Sequence, residues 1–302
     1  MGFNLFNLKQ KHYKGKITEG CLALEGGAFR GIYTAGVLDY FIEHGLFLKT
    51  AYGVSAGALT AANYMAGNFG RSALLILEHR NNPHYVGLQA YRESGSVVGF
   101  EFMFNELNKE YPINEENLFS PKKDLNIVVT NVYTGEAEYF TNHDDKEIFY
   151  KAMRASASIP LVSKMVKINN QLYLDGGCAT KLPVRKAIAD GNKKIIFIGT
   201  RDATYRRKVN DTNKEIQLVK AMYRNYPKFV ETFKHADENY NKDCDYIDEL
   251  VEEKKIYRIT PSQPVTVSRL EKSIKKLSDL YYLGYNDAAA QFEDILKFLN
   301  VK

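Results

Sequence analysis

The chain has 302 residues, enough for a large buried core, with 45% hydrophobic and 25% charged side chains. A net charge of +5 permits contact with an anionic membrane surface but does not call for nucleic acid. Cys21, Cys178 and Cys244 are too few and too far apart for a disulfide framework or a zinc site, which points to a reduced, cytoplasmic setting. No apolar run reaches the roughly 18 residues of a membrane span. The first 16 residues lack a signal-type apolar stretch, and Phe6 stands where a myristoylation signal starting at Met1-Gly2 needs Ser or Thr.

In chain order, Cys21-Leu22-Ala23-Leu24 is a short apolar strand. A small-residue loop, Glu25-Gly26-Gly27-Ala28-Phe29-Arg30-Gly31, then opens a helix over 31–44 that Gly45 closes. Residues 50–54 read as a strand, 56–66 as the helix after it, and 71–80 as another helix. The segment Val97–Leu107 is rich in Val, Phe and Met, which suits either the lining of an acyl pocket or ordinary core. Residues 125–130 are a buried strand, 133–136 a turn and 137–141 the return strand. A helix over 147–158 stops before Pro160.

Residues 165–174 read as a hairpin through Asn169-Asn170, and 194–199 as another buried strand. The amphipathic stretch 213–240 has apolar residues at helical spacing and is expected to kink at Pro227. A last strand over 255–259 and one or two helices over 267–299 close the chain. Strands alternating with helices predict an α/β fold, a mainly parallel central sheet flanked by helices on both faces, in one domain over 1–302.

Ser55 lies in Gly53-Val54-Ser55-Ala56-Gly57, between an apolar strand and a helix. This is the pattern of a nucleophile elbow, where glycines allow a turn too tight for side chains; a plain Gly-rich turn is the alternative. A serine nucleophile needs donors for an oxyanion. The loop Gly26–Gly31 suits that task, because small residues let N–H groups converge at a helix N-terminus. Arg30 would steady the loop or add a fixed positive charge. A nucleotide-phosphate loop fits less well, since Ala28 occupies the place of a required glycine.

The serine also needs a base. After Ser55 the histidines are His79, His84, His143 and His235, and only His235 follows the best aspartate, in a charged helical stretch. Asp175, in Tyr173-Leu174-Asp175-Gly176-Gly177, ends a strand at a glycine pair, although an Asp-Gly turn would look the same. Without an imidazole between them, the carboxylate must touch the hydroxyl directly, and burial would make it a stronger base.

These three motifs, in this order and at these separations, resemble the patatin-like phospholipase family. The segment Arg154-Ala155-Ser156-Ala157-Ser158-Ile159-Pro160 is similar to the family's small-residue stretch ahead of the aspartate strand. The resemblance covers residues 20–200 and continues through Arg224-Asn225-Tyr226-Pro227 into a helical part over 210–302, as in bacterial members. It implies an acyl hydrolase with a Ser–Asp dyad and no metal or other cofactor. Ser55 would be the nucleophile and Asp175 the proton acceptor. Gly26, Gly27 and Ala28 would form the oxyanion hole, supported by Arg30, Gly31, Gly53, Gly57, Gly176 and Gly177.

Glu25 and Ala28 depart from the family pattern of Asp and a third glycine. A positive φ at Ala28 would strain the loop by about 1 kcal/mol or more. The implied substrate is a phospholipid or other acyl ester. An acyltransferase sharing the first half-reaction, and a lipid-binding regulatory protein that keeps the site architecture, are the alternatives. Basic clusters at Arg201–Lys208, Arg269–Lys276 and the N-terminus suit either peripheral membrane contact or solvated helix faces. Cys178 reads as a small packing residue.

Overall fold

The computed structural model describes residues 8–210 and 213–301. The readings that rest on Met1, Gly2 and Phe6 lie outside the described residues. The strands in chain order are β1 (Lys11–His12), β2 (Ile17–Leu24), β3 (Phe47–Val54), β4 (Asn68–Phe69) and β5 (Asp124–Asn131), then β6 (Ala137–Thr141), β7 (Val166–Ile168), β8 (Gln171–Asp175), β9 (Ile195–Ile198) and β10 (Ile256–Ile259). One eight-stranded sheet runs β10-β9-β2-β3-β5-β8-β7, with β6 also paired to β5. From β10 to β5 every pairing is parallel. The predicted turn at 133–136 and hairpin at 165–174 supply the antiparallel strands β6, β7 and β8.

The parallel strands are apolar at nearly every position because both of their faces are buried. Side chains alternate across a strand, so Leu22, Leu24, Ile196 and Ile198 enter one core, while Cys21, Ala23, Ile195 and Phe197 enter the other. Helices Ile32–Glu43, Ala56–Met65 and Ile274–Leu299 cover the first face; Val184–Ala189 and Pro227–Glu252 cover the second. The expected α/β layering is therefore present.

Helix Ile32–Glu43 ends as expected. Gly45 is left-handed at φ 73°, and Leu46 N–H donates to Phe41 C=O at 2.8 Å, closing the last turn. The same helix packs closely on Ile274–Leu299. A Cβ on Gly36 would lie 2.0 Å from the Tyr281 carbonyl oxygen, and one on Gly284 would lie 2.1 Å from that of Tyr33. Buried polar ties flank this crossing: Tyr281 donates to Asp39 and Tyr33 to Asp287, each at 2.9 Å. Gly36→Ala should cost about 3 kcal/mol, because two helix backbones must part to admit one methyl. Urea unfolding checks this.

The expected kink at Pro227 is not there. Helix Lys214–Met222 stops, and Pro227 is the first residue of a separate helix, Pro227–Glu252. The first helical position has no intrahelical N–H partner, so proline loses nothing by starting there. Residues 267–299 resolve into one helix, Ile274–Leu299, whose Ser273 hydroxyl accepts from Lys276 N–H. No described helix is long and apolar enough to cross a membrane.

Candidate active site

Strand β3 ends at Val54 and helix Ala56–Met65 begins with only Ser55 between them. Ser55 makes the whole reversal, with φ 55° and ψ −122°. A non-glycine residue in that region carries strain on the order of 1–3 kcal/mol. The neighbouring glycines make it feasible. A Cβ on Gly53 would lie 2.5 Å from Ala58 Cα, and one on Gly57 would lie 2.7 Å from the Leu24 carbonyl oxygen. The Ser55 N–H donates to Ser156 Oγ at 2.9 Å, which fixes the elbow against helix Lys146–Ser156.

Sheet register brings the second group to the first. Val54 pairs with Val128, and Asp175 pairs with Val129 on the other side of β5. Neighbouring strands lie ~4.8 Å apart, so the two backbones stand ~10 Å apart and their side chains can meet across β5. Ser55 and Asp175 line the same cavity, and the serine hydroxyl favours the ionised form of the Asp175 carboxyl. Gly177 N–H donates to Asp175 Oδ1 at 2.8 Å.

Two main-chain bonds hold Asp175 in place. Its N–H donates to Ser158 C=O at 2.9 Å, and its C=O accepts from Thr130 Oγ1 at 2.8 Å. Both Ser55 and Asp175 are 8% exposed. Burial raises the Asp175 carboxyl to about 6, against the pull of Ser55, Gly177 N–H, Lys181 and Arg269.

The loop after β2 faces the same point. Phe29 N–H donates to Arg269 C=O and Arg30 N–H to Gly27 C=O. Among the described residues, the N–H groups of Gly26, Gly27 and Ala28 have no such acceptor. Ala28 is left-handed at φ 51°, so the methyl group is strained by ~1 kcal/mol or more. Ala28→Gly should therefore raise stability by up to ~1 kcal/mol, where an Ala→Gly change at negative φ lowers it. Paired urea titrations test this.

Gly31 packs on the elbow, where a Cβ would lie 2.8 Å from Ala56 Cβ, and Gly176 backs onto β5, 2.2 Å from Val128 C=O by the same measure. Glu25 is buried, and its carboxylate accepts from Thr200 N–H at 2.6 Å and Thr200 Oγ1 at 3.1 Å.

Two cavities meet at Ser55, Ala28 and Ile159. One is apolar, ≈ 1160 Å³ including its open mouth, and is lined by side chains such as Leu59, Leu75, Val98, Met103, Phe104 and Met153. The Val97–Leu107 segment thus supplies part of a pocket wall. The other cavity is the more polar of the two; Asp175, Lys181, Arg207 and Arg269 line it, whereas none of them lines the apolar one.

The histidines lie outside this constellation. His235 sits on helix Pro227–Glu252 against Glu231 and Glu238. His84 and His143 pair with Glu93 and Asp124 on the surface, and His79 stands beside Glu110. Cys178 is buried in a small apolar cluster with Leu174 and Phe229. Sequence reasoning did not assign tasks to Ser156, Ser158 and Thr130. The alternation Ala155-Ser156-Ala157-Ser158 was the available signal for the two serines, but Thr130 reads only as an ordinary β-branched strand residue.

The patatin-like phospholipase family model matches residues 22–188. A second model, a domain of unknown function (DUF6363), matches 226–300. A probable lipid hydrolase, 463L, of Invertebrate iridescent virus 6 is 27% identical over 227 residues, covering 68% of this chain and 76% of that one. The uncharacterized protein YjjU of Escherichia coli strain K12 is 24% identical over 273 residues, covering 87% and 74%. Among solved structures, VipD from Legionella pneumophila is similar with a TM-score of 0.48 and 14% identity, over 92% of this chain and 67% of that one. The first model spans more than half of the chain and contains Ser55, Asp175 and the loop after β2; the chain belongs to the patatin-like phospholipase family of lipid hydrolases.

Proposed function

We propose that the protein is a serine acyl hydrolase of phospholipase A or lipid-esterase type, working through a Ser55–Asp175 dyad and an acyl-enzyme. The observation that carries this reading is a strained serine at the junction of an apolar pocket and a second cavity lined by a buried carboxylate. Asp175 is a better base than a solvated aspartate, yet still ionised at neutral pH. As Ser55 Oγ attacks the ester carbon, its proton passes to Asp175. The negative charge on the carbonyl oxygen is held by the N–H groups of Gly26, Gly27 and Ala28.

Asp175 then returns the proton to the departing alcohol. Water repeats the sequence and releases the fatty acid. The acyl chain occupies the apolar pocket. The alcohol leaves on the polar side, because the acid that protonates it lies there. No metal takes part in these steps. The three free thiols, two of them buried, favour a reduced cytoplasmic setting. Purified protein should hydrolyse p-nitrophenyl acyl esters and phospholipid. Equal turnover by wild type and Ser55→Ala would sink the assignment.

A further inference from the structure

We propose that the polar cavity selects acyl esters whose leaving alcohol bears an anionic phosphate without a compensating ammonium, and that Lys181 and Arg207 are the residues that make the selection. The inference rests on the hydrolase reading, since it assigns the leaving group to the Asp175 side. Neither residue belongs to the nucleophile, oxyanion or aspartate motifs.

Both are built into place by helix Pro227–Glu252, which lies in the segment matched by the second family model. Arg207 N–H donates to Asn241 Oδ1 at 2.7 Å, and Asn241 Nδ2 donates back to Arg207 C=O at 2.9 Å. The guanidinium lies over the Tyr240 ring, 4.6 Å from its centroid. Lys181 Nζ donates to Ala236 C=O at 3.2 Å. Such anchoring leaves two long cationic side chains little freedom to lose when an anion binds.

Positive charge there is under-compensated. Lys181 and Arg207 share one carboxylate, Asp237, at 3.8 and 3.1 Å. Arg30, Lys234 and Arg269 line the same cavity, so its wall carries five cations against the four carboxylates Glu25, Asp175, Glu215 and Asp237. The Nε atoms of Arg30 and Arg207 are buried without a hydrogen-bond partner among the described residues. Of the other carboxylates on the wall, Glu25 is occupied by Thr200, Asp175 accepts from Gly177 N–H, and Glu215 is exposed in the first turn of helix Lys214–Met222. Burial and then neighbouring cations pull Lys181 down to about 8 and Arg30 to about 10. A phosphate is the ligand that relieves this crowding, because its oxygens accept several charge-assisted hydrogen bonds at once. A quaternary ammonium brought into the same cavity would add to it.

The test compares short-chain substrates with identical acyl groups: dihexanoyl phosphatidic acid, dihexanoyl phosphatidylcholine and dihexanoylglycerol. Wild-type kcat/KM should favour the phosphatidic acid over both others by tenfold or more. In Arg207→Met that preference should fall by about tenfold, the loss of one charge-assisted contact. Inorganic phosphate should compete with p-nitrophenyl butyrate in the wild type, which separates recognition of phosphate itself from recognition of a lipid aggregate.

Equal wild-type efficiency on the three lipids would overturn the proposal, as would an unchanged preference in Arg207→Met. The wild-type comparison and the phosphate competition decide the matter even if the variant does not fold. Ser55-dependent turnover of p-nitrophenyl butyrate without discrimination removes the selective site alone. No Ser55-dependent turnover removes the hydrolase reading and the site with it.

Discussion

Ser55→Ala should lower ester turnover by about 10⁴-fold or more, because no acyl-enzyme forms without the hydroxyl. Ser55→Gly should abolish turnover equally and yield a more stable protein. The reason is the backbone, which holds residue 55 at φ 55° and ψ −122°. Only glycine adopts that region without strain, and the strain is on the order of 1–3 kcal/mol. Glycine gives back part of the gain through its freer unfolded chain, leaving a net increase of ~1 kcal/mol. Activity and urea unfolding on the same preparations check both halves. A glycine variant that is less stable than the alanine variant would contradict the strained elbow.

Asp175→Asn should lower turnover by ~10³-fold, the contribution typical of a positioned general base, and should still fold. The amide keeps an oxygen to accept from Gly177 N–H. In the wild type, kcat/KM should rise as pH passes through about 6 and level off above it, because the base must be ionised. Stability has the opposite sign. Below the ordinary aspartate value near 3.8 the carboxyl is neutral in both states, and burying it is cheap. Between there and about 6 the folded state keeps a proton that the unfolded state has lost. Above about 6 the folded protein holds a buried charge, and that increment of stability, about 3 kcal/mol at most, is gone. The asparagine variant should therefore match the wild type at pH 4 and exceed it at pH 8. Lower stability of the variant at pH 8 would contradict this account.

Much of this site was legible in the sequence, because tight geometry restricts residue type. Gly53 and Gly57 are needed where the elbow meets Ala58 and Leu24, so steric demand leaves a readable trace. The scarcity of histidines was equally informative: His235 lies on a charged helix face between two glutamates. Local signals failed where one residue serves two opposite uses. Proline interrupts a helix and also begins one, and nothing near Pro227 decided between them. At Ala28 the sequence posed only a condition on φ, which the fold then answered with a positive value.

Residues that act through register left no trace. Thr130 holds the carbonyl of Asp175 because β5 and β8 pair at that level, and no local pattern carries that fact. Arg207 and Lys181 converge on Asp237 from segments far apart in the chain, brought together by packing against one helix. The basic run at Arg201–Lys208 was visible as charge, but its inward turn at Arg207 was not.

The proposed mechanism stands or falls with Ser55 as the nucleophile. Intact-protein and peptide mass spectrometry after reaction with a fluorophosphonate tests it most directly. A single adduct on the peptide containing Ser55, lost in Ser55→Ala and slowed in Asp175→Asn, is the predicted result. An adduct on another residue, or equal labelling of the Ser55→Ala protein, would contradict it.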